Sequence, residues 1–382
     1  MAVGAPSRRL GFVVNPIAGM GGRVALKGTD GPGAVRIARR RGAREVAPER
    51  ARRALERLAA ADPSVRVLAA PGIMGADIAR GVGLDVETTG AELPADRETR
   101  PADTRNAAAE MRARGVDLLL FAGGDGTARD ILDTIGAEVP LLGIPTGVKM
   151  HSGVFAASPA AAGMAAAAYL RAPGPEGLVE AEIADVDEDA AREDRVATRL
   201  YGAVSVPRQP ALVVGPKAAS GADAGVEALA AEIARTLPPG RLTLLGPGTT
   251  TAAVLRHLGR DGTLLGVDAV RDGELVGRDL DEAGLLALLE AERDGPDPAL
   301  IVGVVGGQGA LFGRGNQQLS PTVLRRIGRD RNQVVAGADK LHRLNPPRLR
   351  VDTGDEALDA ELSGYVRVHV APGRTMVMKV ST

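Results

Sequence analysis

Cysteine and tryptophan are absent from the 382 residues, and the aromatic content stops at 4 Phe and 3 Tyr. Without cysteine there is no disulfide, thiolate zinc site, iron–sulfur cluster or cysteine nucleophile, which removes several enzyme classes together. A reducing compartment suits such a chain. So few rings supply no stacking platform for single-stranded nucleic acid, and the core has to be assembled from Ala, Leu, Val and Ile. Net charge is missing as well: 47 Lys and Arg against 48 Asp and Glu leave −1. That is not a polyanion-seeking balance, and no nucleic-acid partner is expected. No run approaches the ~18 to 20 apolar residues of a membrane span, and the opening MAVGAPSRRLGFVVNP has no apolar stretch closing in small residues. A soluble, untargeted, cytoplasmic protein with no membrane partner is the expectation. What the chain does have is 45% hydrophobic content. At roughly 150 residues per domain its length suits about two domains, each able to bury a core.

The first half alternates short β-rich runs with Ala- and Arg-rich segments of helical character. Leu10 to Val14, Val65 to Ala69, Leu118 to Ala122 and Leu141 to Ile144 read as strands. Pro48 to Ala60 and Thr104 to Arg114 read as helices between them. Such alternation predicts an α/β fold, a Rossmann-like parallel sheet with helices on both faces. Ser158 followed by Pro159 announces another helix running to Leu170. The turn chemistry of Pro173 to Gly177 then suggests a boundary between domains at 1–172 and 178–382. Beyond it, Val204 to Pro207, Ala211 to Gly215, Leu242 to Leu245 and Ile301 to Val305 read as strands. Period-two alternation near Arg348 to Asp352 and Val366 to Val370 gives a mixed α/β second domain a β-rich end. The arginines at 36, 39, 40, 41 and 44 are read mainly as a solvated surface, because Glu45 and Glu49 follow them.

The residues that best suit chemistry are Gly123, Gly124, Asp125, Gly126 and Thr127, set after the apolar run LLLFA and before a segment carrying Ile131, Leu132 and Ile135. Glycines after a strand let the backbone approach an anion, and the N–H groups of a following helix start can hold phosphate. Asp125 then either orients or deprotonates an attacking hydroxyl, or holds Mg²⁺; the plainer alternative is that it only caps the helix. Strand and glycine turn recur at TLLGPGTTT and IVGVVGGQGA, where Gln308 stands in the place of Asp125 and could bind but not accept a proton.

The motif GGDGT after an apolar strand resembles the superfamily of NAD kinases, diacylglycerol kinases and sphingosine kinases. NPIAGMGGRVALKGTDG, GIPTGVKMHSGVFA, LLGPGTTTAAVLRHLG, GGQGALFGRGNQQLSP and LRVDTGD extend the likeness across most of the chain. They look like the divergent ATP-NAD kinase-like branch that includes the AcoX proteins. The resemblance implies an NAD kinase-like fold in two domains and a kinase activity. It makes Asp125 the base for a ribose hydroxyl and Gly123, Gly124, Gly126 and Thr127 the phosphate-handling loop. Asn15, Gly19, Gly21, Gly22 and Lys27 would form a first nucleotide loop, with Lys149 and His151 beside the phosphates. Gly248, Thr249 and Thr250 loosely resemble a substrate loop of the second domain, and a capped helix start explains them equally well. Asn316, Gln317 and Gln318 either read a base or amide or satisfy their own loop, and Asp352, Gly354 and Asp355 are mainly turn formers.

The implied reaction moves a phosphoryl group from ATP or polyphosphate to the 2′-hydroxyl of the adenosine ribose of NAD. No protein ligand is firmly assigned to Mg²⁺, which would be bound mainly through substrate phosphates, with Asp125 left open as a further ligand. Homo-oligomers are common among such relatives. The family's Asn-Glu pair after the motif is missing here, and Pro145 stands where an Asn is usual, which puts the acceptor in question. Another small-molecule or lipid hydroxyl, or a non-catalytic nucleotide-binding regulator, therefore stays open.

Overall fold

The computed structural model describes residues 9–26, 32–90, 99–147, 150–186, 198–209, 224–304 and 309–382. The chain separates into two compact units, Met1–Met20 with Arg44–Lys217, and Gly21–Ala43 with Ala218–Thr382.

Chain order begins β1 (Arg9–Val14), α1 (Pro32–Arg40), α2 (Ala47–Ala61), β2 (Arg66–Ala69), α3 (Ala76–Gly81), β3 (Asp85–Thr88) and α4 (Pro101–Ala113). It continues with β4 (Leu118–Gly123), α5 (Asp125–Ile135), β5 (Leu141–Pro145), α6 (Pro159–Arg171), β6 (Leu178–Val186) and β7 (Thr198–Pro207). The five strands β1 to β5 make one parallel sheet in the order β3-β2-β1-β4-β5. Strand order reverses between β1 and β4, the position at which open parallel sheets place ligands beyond their carboxyl ends.

Every residue of β4 and β5 is buried. Unbroken apolar runs like these are what a strand covered on both faces requires. On one face Leu10, Phe12 and Leu120 pack with Leu55 and Leu58 of α2 and with the alanines of α6. On the other, Val13, Leu119 and Phe121 pack with Met111 of α4, Ile131 and Ile135 of α5, and Ile183, Val204 and Val206 of the antiparallel β6–β7 hairpin. The hairpin thus completes the first core, so the compact units do not divide at the expected turn of residues 173–177. Residues 21–43 leave the first unit too: α1 buries Val35 and Ala38, and the short 3₁₀ helix Gly22–Val24 packs within the second unit. Arg36, Arg39 and Arg40 lie on the exposed side of α1, the solvated surface expected of them.

The second unit continues with α7 (Ala224–Thr236), β8 (Thr243–Leu245), α8 (Thr249–His257), β9 (Val267–Arg271), β10 (Glu274–Leu280), α9 (Glu282–Ala291), β11 (Ala299–Gly303) and β12 (Ala310–Phe312). There follow α10 (Pro321–Ile327), β13 (Asn332–Val335), α11 (Ala338–His342), β14 (Arg348–Val351), α12 (Glu356–Leu362), β15 (Gly364–Ala371) and β16 (Arg374–Ser381). Its nine-stranded sheet runs β10-β9-β8-β11-β13-β15-β16-β14-β12. Four parallel strands, β8, β11, β13 and β15, form its centre, and antiparallel pairing enters at β9 and at β16. The mixed α/β second domain with a β-rich end is as the sequence led us to expect. The expected strand Ala211 to Gly215 lies outside the described residues. Among the described residues no helix is long and apolar enough to cross a membrane.

Candidate functional site

The ends of β1 and β4 lie side by side at the reversal of strand order. Asn15, the first residue past β1, donates its N–H to the carbonyl of Ala122 at 2.9 Å, and its side-chain Nδ2 reaches Thr127 Oγ1 at 3.1 Å. Gly123 ends β4, and a Cβ there would lie 2.5 Å from the Cβ of Thr127. Only glycine therefore lets the first turn of α5 fold back over the strand. Gly124 precedes α5 in extended backbone with no side-chain cap, and a Cβ on it would meet nothing within 4 Å. The N-cap position thus carries no side chain and has open space where one would lie, an arrangement that suits an anion. Gly19 has φ +76° and approaches the carbonyl of Thr146 so closely that a Cβ would fall 1.8 Å from it. This contact fastens the loop after β1 to the end of β5.

Asp125 is the first residue of α5 and is buried, with 4% of its surface exposed. Its carboxylate receives three hydrogen bonds from the chain beyond β5. The His151 N–H donates to Oδ2 at 2.6 Å, the Ser152 N–H to Oδ1 at 3.0 Å, and the Ser152 hydroxyl to Oδ1 at 2.6 Å. The segment that supplies these donors is itself clamped. The Gly143 N–H donates to Val154 O and the Ala156 N–H to Gly143 O, while the Gly153 N–H donates to Glu182 O of β6. Gly143 makes room for this, because a Cβ there would sit 2.3 Å from the ring of Phe155, which meets Phe121 edge-on.

Burial pushes the Asp125 carboxyl up to about 6 against those hydrogen bonds, all of which favour the charged form, and the nearby charge of Asp185 adds to the rise. Asp185 on β6 is held by Arg129 of α5 at 3.2 Å, and the Arg129 guanidinium lies 5.2 Å from the ring centre of Tyr201. A carboxylate whose affinity for protons lies near neutrality suits general-base work. Three protein donors leave Asp125 about one free acceptor site, on Oδ2, and among the described residues no three His, Cys, Asp or Glu side chains gather as a group that fits a resident magnesium ion.

The expected site residues therefore divide. Asn15, Gly123, Gly124, Asp125, Gly126, Thr127 and His151 come together in the first unit, His151 through its backbone N–H. Asp125 does more than begin its helix, since its side chain reaches across to a distant loop. Gly21 and Gly22 belong to the second unit, at the 3₁₀ turn. Gly248, Thr249 and Thr250 are there too, at the start of α8, where the Thr251 hydroxyl donates to the Gly248 carbonyl at 3.0 Å. Lys27, Lys149 and Gln308 lie outside the described residues. Asn316 closes its own loop, accepting from the Gly313 N–H and donating to Leu311 O. Asp355 caps α12 by accepting from the Leu358 N–H at 3.0 Å. Sequence reasoning missed Ser152, Arg129 and Asp185. Ser152 directly follows His151 and was the one within reach, but nothing local shows that its partner is Asp125.

Residues 10–173 match the family model described as the ATP-NAD kinase N-terminal domain, and residues 240–380 match that of the ATP-NAD kinase C-terminal domain. No curated protein and no solved structure matches the chain. The two family models follow one another in order over most of its length, and the first contains the whole loop around Asp125: the chain belongs to the NAD kinase-like family.

Proposed function

We propose that this kinase-family protein transfers a phosphoryl group from ATP or polyphosphate to the 2′-hydroxyl of the adenosine ribose of NAD, giving NADP. The observation that carries this reading is Asp125: a buried carboxylate at the reversal of strand order, beside an uncapped helix start, with its proton affinity raised toward neutrality. In the reaction the ribose oxygen bonds to the terminal phosphorus, its proton passes to the Asp125 carboxylate, and the remaining phosphate chain leaves with the bonding pair. The backbone at Gly124 and the first turn of α5 would receive phosphoryl oxygens. Lys27 and Lys149 are proposed as compact cations for nucleotide phosphates, and Gly248, Thr249 and Thr250 as nucleotide contacts. Magnesium enters with the donor phosphates as part of the substrate, and no step is assigned to a protein-bound ion.

The test is a product assay on the full chain with NAD and magnesium, ATP and polyphosphate being offered separately and Asp125→Asn run beside the wild type. The wild type is expected to form NADP with at least one donor, and Asp125→Asn to lose about 10²-fold or more of turnover. Binding of NAD with no NADP from either donor would overturn this acceptor. Unchanged turnover in Asp125→Asn would overturn the base.

A further inference from the structure

Ser152 is 1% exposed, and its hydroxyl oxygen has three neighbours: Asp125 Oδ1 at 2.6 Å, Ala184 O at 2.9 Å and Ala184 N at 3.1 Å. The Ala184 N–H donates to Oγ. The two oxygens, Asp125 Oδ1 and Ala184 O, both lie within reach of the single hydroxyl proton, which can serve only one of them at a time. Two acceptors competing for one buried donor is an arrangement with two resting states. Which state holds depends on whether Asp125 carries a proton.

We infer that Ser152 is a positioning residue for Asp125, its hydroxyl holding the carboxylate in place before proton transfer and turning to the Ala184 carbonyl once the base has taken a proton. The inference rests on Asp125 acting as the base. While Asp125 is a carboxylate, the Ser152 proton points at Oδ1. Once the proton of the acceptor hydroxyl has moved to the open site on Oδ2, Oδ1 becomes a neutral carbonyl oxygen that keeps the Ser152 N–H, and the Ser152 hydroxyl proton turns to Ala184 O. One proton has crossed from substrate to Asp125, none has been gained or lost elsewhere, and no buried donor is left facing another donor. The His151 and Ser152 amides cannot do this, because an N–H fixed in the backbone cannot turn from one acceptor to another. Ala184 is held in place by the β6–β7 pairing, and by the adjacent bond from the Gly153 N–H to Glu182 O at 2.8 Å. The charged pair nearest this contact is Asp185 with Arg129, 3.2 Å apart, and the Asp185 charge favours the protonated state of Asp125.

A double-mutant cycle tests it, with kcat and KM measured separately for wild type, Ser152→Ala, Asp125→Asn and the double variant. Ser152→Ala should lower kcat about tenfold, the scale of one hydrogen bond to a charged group, with KM for NAD within about twofold. In the Asp125→Asn background the same change should alter the residual rate less than about twofold, because there is no longer a base to position. An equal loss in both backgrounds, or an unchanged kcat in Ser152→Ala, overturns the inference while leaving the base reading intact. A wild type that forms no NADP, or an Asp125→Asn variant that matches it, overturns the base reading and this inference with it. Ser152→Thr and Ser152→Val, alike in shape and different in the hydroxyl, carry the same comparison if Ser152→Ala fails to fold, Thr being expected to turn over about tenfold faster than Val.

Discussion

Asp125 sits under two opposing influences, burial that favours its neutral form and three donors that favour its charge, and burial wins by holding the carboxyl at about 6. If the carboxylate is the base, turnover should fall about tenfold per pH unit below 6 and level off above 7, a profile read directly from kcat. Stability moves the other way. The folded carboxyl binds its proton more tightly than the unfolded one, near 3.8, so its stabilising contribution is fully present below about 3.8 and is lost as pH rises through about 6. Wild-type stability minus that of Asp125→Asn should therefore shrink by roughly 2 kcal/mol between pH 4.5 and 7.5, as measured by urea unfolding at the two pH values. A difference that is flat with pH would mean that the carboxyl is not held up by burial. At this scale the sequence showed the motif but not its partners. Three glycines around one Asp are visible locally, whereas Ser152 is brought to Asp125 from 27 positions away and Ala184 to Ser152 from 32, by sheet packing. No spacing rule links residues so far apart.

The elements that were legible are those whose burial is complete. β1, β4 and β5 stand out as apolar runs because both faces of the sheet are covered, and α6 begins where Ser158 and Pro159 predict, the Ser158 hydroxyl accepting from the Ala161 N–H at 3.2 Å. β3 left no such mark. It is an edge strand in which exposed and half-buried residues alternate, so its sequence, DVET, carries no apolar signal. α6 also shows why so many alanines were needed. At Gly163 a Cβ would lie 2.1 Å from the Ala54 carbonyl of α2, so the two helix backbones touch and any side chain would force them apart. Gly163→Val should consequently cost about 3 kcal/mol or more, the upper end of overpacking, because the obstacle is backbone rather than a side chain that can turn away. A denaturant midpoint close to that of wild type would show that α2 and α6 can part without penalty.

The division of the molecule is the feature least visible in the sequence. Turn chemistry at residues 173–177 invites a cut there, yet Ile183, Val204 and Val206 from beyond it are 0 to 2% exposed in the first core. Burying three such side chains contributes roughly 5 to 9 kcal/mol at the usual value per residue. That is comparable with the whole stability of a typical domain. The hairpin therefore belongs to the first unit energetically as well as spatially, and it also carries Ala184 and Asp185 to the base. Residues 21–43 go the other way, and the chain ends they would leave are neighbours, since the Val46 side chain lies 3.1 Å from where a Gly19 Cβ would be. A short flexible linker can thus join residue 20 to residue 44. Residues 1–20 and 44–217 joined in this way should unfold in one cooperative thermal transition followed by circular dichroism, whereas the same fragment ended at residue 172 should lose that transition and bind apolar dye. Equal melting of the two fragments would mean that the hairpin only covers a core already stable without it. The cut at 172 would then be the true boundary, and the contact of Ser152 with β6 would no longer be part of what holds the fold together.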